Sequence, residues 1–88
     1  MSGSGTLLEF PCDFPIKMMG KADETFSATA IAIVERHAGS VAEEQVQTAA
    51  SSNGNFVSVT VTISAQSQEQ LDSIYRDLSE HEDILVAL

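Results

Sequence analysis

The stretch SSNGNFVSVTVTIS, residues 51–64, decides the fold of this 88-residue chain. From residue 57 onward, Val or Ile alternates with Ser or Thr. This period of two is typical of a strand with one buried and one solvent-facing side. The Asn53-Gly54 pair can supply the positive φ angles of a tight hairpin turn. The stretch therefore predicts a β-hairpin whose second strand buries Val57, Val59, Val61 and Ile63.

The segments on either side extend this hairpin into a larger unit. Residues 43–50 are polar, so we expect a weak strand at a sheet edge. After the hairpin, Ser67 followed by Gln70 matches a capping box and predicts the start of a helix. The apolar face of that helix holds Leu71, Ile74, Tyr75 and Leu78. A closing strand over residues 84–88 is apolar on both faces, with Ile84, Val86 and Leu88 on one and Leu85 and Ala87 on the other.

The N-terminal half predicts one further strand and helix. A strand over residues 14–19 places Ile16 and Met18 on one face, and Gly20 ends it. Asp23 can cap the helix that follows, and Gly39 is a suitable stop for it. The apolar positions of this helix recur near helical spacing and are Phe26, Ala30, Ile31, Ile33, Val34 and His37 or Ala38.

The order of these elements is β-α-β-β-α-β. It predicts an α+β fold of the ferredoxin-like type, with two helices on one face of a four-stranded antiparallel sheet. Area scaling gives roughly 5,000 Å² exposed when folded against about 13,600 Å² for the extended chain, which suits one core. We therefore expect a single domain over residues 7–88 after a flexible Gly/Ser-rich segment, residues 1–6. Leu7, Leu8 and Phe10 should lie against the edge of the core.

Four segments carry a family resemblance: LLEFP (residues 7–11), KMMG (17–20), RHA (36–38) and SSNGNFVSVTV (51–61). Together they resemble the YbeD-like family of small bacterial proteins of unknown function, over residues 7–88. The resemblance implies a cytoplasmic location and a ferredoxin-like fold similar to small regulatory domains of the ACT type. That family has no established catalytic or ligand residues, so the resemblance assigns none here.

The charge and cysteine content exclude several classes of function. Thirteen Asp and Glu residues against four Lys and Arg give a net charge of −9, which argues against binding nucleic-acid phosphates or anionic membranes. No apolar run reaches the roughly 18 residues of a membrane span, and we see no signal peptide. Cys12, the one cysteine, excludes an internal disulfide and suits a reducing compartment, in line with a cytoplasmic protein.

The candidate chemical groups do not combine into a reaction centre. Cys12 lacks the basic neighbour that a reactive thiol needs, because Glu9 and Asp13 flank it. His37 suits the negative end of a helix, and His81 lies in the acidic turn EHED, residues 80–83, where a contiguous run is a poor metal site. No nucleophile–base pair, phosphate loop or dinucleotide turn is present. We therefore predict that the chain is not an enzyme and has no catalytic, cofactor-binding or metal-binding residues.

A surface for partners is the leading functional hypothesis. The face of the hairpin strand that carries Phe56, Ser58, Thr60 and Thr62 is uncharged and β-prone, which favours self-association or contact with a protein partner. Nucleic acid is disfavoured there, because Phe56 is the one aromatic residue on that face and basic residues do not interleave with it. The interpretation is a non-enzymatic regulatory or protein-interaction module, which could also use its acidic helical surface against a basic partner.

The alternative hypothesis is a small-molecule sensor. Regulatory domains of the ACT type often bind their ligands near the first strand–helix junction. By analogy at the level of the fold, Met19, Gly20 and Lys21 mark the place for an amino acid or similar metabolite in a dimeric protein.

Overall fold

The computed structural model describes residues 9–51 and 53–88, and its elements follow the predicted order. The strands are β1 (Cys12–Lys21), β2 (Val46–Ala50), β3 (Phe56–Ala65) and β4 (Val86–Ala87), and the helices are α1 (Phe26–Ala38) and α2 (Gln68–Glu80). The sheet order is β2-β3-β1-β4, and every neighbouring pair is antiparallel. This arrangement confirms the ferredoxin-like fold. The segment predicted to be flexible, residues 1–6, and Leu7 and Leu8 lie outside the described residues.

The core lies between one face of the sheet and the two helices. At its centre Ile16 of β1 is paired with Val61 of β3, and both side chains are fully buried. The alternation in β3 is thereby confirmed. The helices cover this layer with the residues that their periodicity indicated, namely Phe26, Ala30, Ile33 and Val34 of α1 and Leu71, Ile74 and Leu78 of α2. Phe10 packs against the edge of the same core.

Helix α2 begins at its predicted capping residue, Ser67, whereas the N-cap of α1 is Thr25 and not the predicted Asp23. Ser67 Oγ accepts the N–H of Gln70 at 3.1 Å, although the side chain of Gln70 accepts from the N–H of Gln66, not from that of Ser67. Asp23 Oδ1 accepts the N–H of Thr25 at 2.8 Å in a turn that leads into the first residue of α1. Ser67 therefore satisfies an N–H group that α2 leaves free, whereas Asp23 holds the turn before α1 and the N-cap Thr25 makes no side-chain cap bond.

The region around the hairpin departs from two predictions. Residues 43–45 form a single 3-10 turn, so β2 begins at Val46 and not at residue 43. In the turn after β2, Gly54 has a φ of 75° and no described non-glycine residue has a positive φ. The prediction that both Asn53 and Gly54 supply positive φ angles is therefore wrong, because Asn53 does not have one. Asn53 instead accepts hydrogen bonds from Ser51 Oγ and the N–H of Asn55, and these hold a wider loop between Ser51 and Phe56.

Strand β1 is longer than predicted even though Pro15 lies within it. The N–H of Lys17 donates to the carbonyl of Leu88, so odd-numbered N–H groups of β1 point toward β4. The backbone nitrogen of Pro15, two residues before Lys17, points to the same side of β1. Pro15 lies beyond Leu88, the last residue that pairs with β1 on that side. Its missing N–H therefore costs no sheet hydrogen bond, as expected of a proline at a sheet edge.

Strand β4 is shorter than predicted, and the predicted alternation of side chains between its two faces does not extend to Ile84. Ile84 is buried in the core and does not share a face with Val86, which is exposed. The reason is local: the N–H of Ile84 donates to the carbonyl of His81, which keeps Ile84 in the turn before the strand.

Candidate functional site

One face of the sheet faces away from the helices, and we call it the open face. Its members follow from the strand register and from the alternation of side chains about the buried positions. The open face is formed by Asp13, Pro15, Lys17, Met19 and Lys21 of β1, by Phe56, Ser58, Thr60, Thr62 and Ser64 of β3, by Gln47 and Ala49 of β2, and by Val86 and Leu88 at the C-terminal end.

The structure places the four predicted surface residues, Phe56, Ser58, Thr60 and Thr62, together on the open face. It also corrects the expectation that this face is uncharged and free of basic residues. Lys17 is paired with Thr60, and Lys21 with Phe56, so two lysines lie directly beside the predicted surface. The basic residues that were missing from β3 are supplied by the neighbouring strand.

The charges of the molecule are therefore separated between its two sides. The open face carries two lysines, Lys17 and Lys21, and one carboxylate, Asp13. Its net charge is therefore +1. The remaining 12 carboxylates and both arginines lie elsewhere, where the net charge is −10. Within residues 9–51 and 53–88, neither lysine lies within 4.0 Å of a carboxylate oxygen.

Apolar side chains accompany the lysines. Phe56, Val86 and Leu88 are 39%, 42% and 66% exposed, and all three belong to the open face. A shallow depression of about 90 Å³ lies beside Phe56, where Met19, Ala49 and Ser58 also contribute. The open face thus combines positive charge, exposed apolar surface and a small recess.

The three residues predicted to bind a small ligand do not converge. Consecutive strand residues point to opposite sides, so Met19 lies on the open face while Gly20 is buried. Gly20 lies against the ring of Phe26 and the carbonyl of Asp83, which leaves no space for a ligand there. Lys21 ends the strand and borders both the open face and a cavity at the β1–α1 junction.

That cavity has a volume of about 310 Å³. It contains one basic residue, Lys21, and three acidic residues, Asp23, Glu82 and Asp83, together with the apolar side chains of Phe26 and Leu85. Hydrogen bonds from the N–H and the hydroxyl of Thr25 lower the pKa of Asp23. Asp23 is therefore ionised at neutral pH, and the cavity favours a cationic or amine-bearing group over a phosphate.

The remaining candidate groups have local partners. His37 Nε2 lies 2.6 Å from Asp77 Oδ2, so His37 connects α1 to α2 in addition to its place at the helix end. His81 Nδ1 accepts the N–H of Asp83 at 3.1 Å. Cys12 is half-buried at the start of β1. Among the residues that the structure describes, no three His, Cys, Asp or Glu side chains are grouped so that they could hold a metal ion.

No helix in the described part of the chain is both long and apolar enough to cross a bilayer.

Sequence reasoning missed the two lysines, although a signal was available. The prediction that Ile16 and Met18 share one face of β1 already places Lys17, Met19 and Lys21 on the opposite face. The pairing of β1 with β3 was needed to bring these residues beside Phe56. The contact between His37 and Asp77 had no local signal, because it spans 40 residues.

Comparison with known proteins places the chain in one family. The family model described as "Protein of unknown function (DUF493)" matches residues 5–88. A UPF0250 protein of Paraburkholderia phytofirmans is 47% identical over 83 residues, which are 94% of this chain and 93% of the relative. A UPF0250 protein of Nitrosomonas europaea is 40% identical over 83 residues, 94% of this chain and 95% of the relative.

A solved structure supports the fold independently. The solution structure of protein HP0495 from H. pylori is similar with a TM-score of 0.69, over 99% of this chain and 91% of that one. The sequence identity is 15%, so this likeness concerns the fold alone. The family match, the close relatives and the fold agree with the resemblance carried by the LLEFP and SSNGNFVSVTV segments, and the chain belongs to the DUF493 (UPF0250, YbeD-like) family of small bacterial proteins.

Proposed function

We propose that this protein is a non-enzymatic interaction module that binds an acidic, partly apolar segment of a protein partner on its open face. The observation that carries the proposal is the placement of Lys17 and Lys21 beside Met19 and Phe56, on a molecule that is otherwise strongly acidic. Such a face offers apolar contact area and charge complementarity to the same segment.

The exposed apolar residues support contact with a protein. Phe56, Val86 and Leu88 would lose water contact on binding, and burying apolar surface contributes about 25 cal/mol per Å². The recess beside Phe56 gives a partner side chain a place to enter. Aromatic residues at the centre of a contact surface often contribute most of the binding free energy.

The lysines support an acidic partner and determine where it binds. At physiological ionic strength the screening length is about 8 Å, so charges near the interface dominate. Asp23, Glu82 and Asp83 share a cavity with Lys21 and offset part of its charge, so Lys17 provides the less opposed positive charge. An acidic segment is attracted by the open face and repelled by the helical side, which restricts the binding orientation. Nucleic acid is less suitable, because two lysines and one aromatic side chain give few phosphate and stacking contacts.

Two matched double variants test this proposal. Lys17→Glu/Lys21→Glu reverses both positive charges of the open face. Arg36→Glu/Arg76→Glu changes the net charge equally on the helices, where both arginines are exposed. Each immobilised protein is used to capture partners from a bacterial lysate at moderate salt. We expect one or more acidic proteins to be retained by the wild type and the arginine variant, and lost from the lysine variant.

Four results of this capture experiment would contradict the proposal. Equal loss of the same protein from both variants would mean that net charge alone matters. Retention by the lysine variant would exclude the open face as the binding surface. Capture of nothing above background by the wild type would count against an interaction module altogether, and specific retention of RNA would point to a different class of partner.

A second function is favoured by the cavity at the β1–α1 junction. Its volume of about 310 Å³ is near the lower end of the range for small-molecule sites, and its carboxylates suit an amine-bearing metabolite such as an amino acid. A thermal-shift screen of the amino acids tests this alternative. A ligand at 100 times its Kd would stabilise the fold by about 2.7 kcal/mol. Glu82→Gln/Asp83→Asn should abolish the shift, and a screen without any shift contradicts the alternative.

A further inference from the structure

The outer edge of β2 carries unpaired backbone groups. The N–H of Ser51 donates to the carbonyl of Phe56, so odd-numbered residues of this strand direct their backbone groups toward β3. The even-numbered residues Thr48 and Ala50 therefore direct their N–H and C=O groups away from the sheet, whereas at Val46 the C=O is directed outward and the N–H already donates to the carbonyl of Glu43. β2 is the last strand on this side of the sheet among the described residues.

Within the described residues, β2 lacks the side chains and bulges that usually protect an edge strand from pairing. Edge strands are commonly guarded by lysine, proline, inward-pointing charges or a bulge. β2 has the sequence VQTAA, and its register with β3 runs without interruption from Val46 to Ala50. No ionisable residue occurs between residues 45 and 68. Four of its five side chains are exposed.

The edge is also complementary to itself. In an antiparallel pair centred on Thr48, that residue lies opposite Thr48 of a second copy, and Val46 lies opposite Ala50. The N–H of Thr48 then meets the C=O of Thr48 of the other copy, and the N–H of Ala50 meets the C=O of Val46, which gives four hydrogen bonds across the pair; the N–H of Val46 stays with Glu43. The side-chain alternation is preserved, so the open faces of the two copies form one continuous surface.

The distribution of charge around β2 allows two copies to pair without bringing their carboxylates together. Glu43 and Glu44 precede β2, and an uncharged hairpin follows it. Antiparallel pairing brings the acidic end of each strand beside the uncharged hairpin of the other copy. The repelling carboxylates of two chains, each with a net charge of −9, are thereby kept apart at the contact.

We propose that two copies of this chain associate through their β2 edges into a two-fold symmetric dimer with one continuous eight-stranded antiparallel sheet. The contact is a strand pair of five residues, about 17 Å long. A contact of five residues from each chain is smaller than the roughly 20–30 residues a side of a stable interface, so we expect a weak dimer that depends on concentration. It uses the backbone edge of β2 and not the lysines of the open face.

Sedimentation equilibrium of the full chain from about 20 µM to about 1 mM tests the dimer. We expect the mass to rise from that of the 9.4 kDa monomer toward twice that value. Thr48→Lys, which sets two lysines opposite each other at the symmetry axis, should weaken association at least about tenfold. Thr48→Glu should do the same. An equimolar mixture of these two variants should recover association, because Lys then faces Glu.

Gln68→Lys is the matched control, since it adds the same charge at an exposed position of α2. It should associate like the wild type. The proposal is overturned if the wild type stays monomeric at the highest concentration. It is equally overturned if Thr48→Lys associates normally or if the Lys and Glu variants fail to pair. Loss of association in Lys17→Glu/Lys21→Glu alone would assign self-association to the open face instead.

Discussion

Gly20 shows how one residue without a side chain allows two elements to approach β1. An added Cβ would lie 2.6 Å from the carbonyl oxygen of Asp83 and even closer to the ring of Phe26. The backbone of the α2–β4 turn and the first residue of α1 both depend on this space. A glycine here is therefore required by packing, and the predicted role in ligand binding is not needed to explain it.

Gly20→Ala should destabilise the fold by about 1–3 kcal/mol, because the overpacking is against backbone as well as a ring. Gly54→Ala is the control: its Cβ meets nothing within 4 Å, and only the positive φ of 75° is strained. That strain costs about 1 kcal/mol. Urea unfolding of both variants measures the difference. A smaller loss for Gly20→Ala than for Gly54→Ala would contradict the close approach.

Tyr75 joins the end of the chain to α2. Its hydroxyl donates to the carbonyl of Leu88 at 2.7 Å, and its ring meets that of Phe14 edge-on with centroids 6.5 Å apart. Burial raises the pKa of Tyr75 above the usual value of 10.0, because the phenolate is poorly solvated there.

The pKa of Tyr75 is higher in the folded state than in the unfolded state. As the pH rises above 10.0, the unfolded state therefore loses its phenol proton first, and the free energy of unfolding falls. This chain has one tyrosine and no tryptophan, so an ultraviolet absorbance titration reports on Tyr75 alone. We expect a higher midpoint in the folded protein than in urea. Tyr75→Phe should remove the corresponding part of the stability loss. Equal midpoints in the two states would exclude the buried environment.

At the scale of elements, the two helices are joined by a pair of polar contacts. His37 lies 2.6 Å from Asp77, and the side chain of Gln70 donates to the carbonyl of His37 at 3.0 Å. Both contacts involve the last turn of α1. They connect the C-terminal end of α1 to α2, on the face of the sheet that both helices cover.

A double-mutant cycle with His37→Ala and Asp77→Ala should show a coupling of about 0.5–1.5 kcal/mol at neutral pH. The control cycle uses the exposed pair Gln68 and Asp72 within α2, for which we expect about 0.2–0.5 kcal/mol. Chemical denaturation of the single and double variants provides the values. A coupling for His37 and Asp77 no larger than the control would mean that the contact contributes nothing specific.

The elements differ in how far the sequence predicts them. β3 and α2 carry strong periodic patterns, and most of their predicted apolar positions are buried, whereas Val57 and Tyr75 are only half-buried. β2 and β4 carry weak patterns. Their limits depend on the 3-10 turn at residues 43–45 and on the pairing of Leu88 with Lys17. Both are tertiary or turn effects that no local periodicity encodes.

At the scale of the whole molecule, the proposed function rests on the separation of charge. The whole chain has a net charge of −9, but the open face has a net charge of +1, with two lysines among exposed apolar residues, and the rest of the chain has −10. The four residues predicted as a partner surface lie on that face. Its basic character was not predicted, because it arises only when β1 is placed beside β3 in the observed register.

The proposed function requires that the open face binds the partner. The most direct test is to measure chemical-shift changes of the backbone amides by two-dimensional NMR while the captured partner is added. We predict that the largest shifts occur at Lys17, Met19, Lys21, Phe56 and Val86, with little change on α1 and α2. Lys17→Glu/Lys21→Glu should suppress these shifts under the same conditions. Shifts concentrated on the exposed sides of the two helices, with the sheet unchanged, would contradict the account.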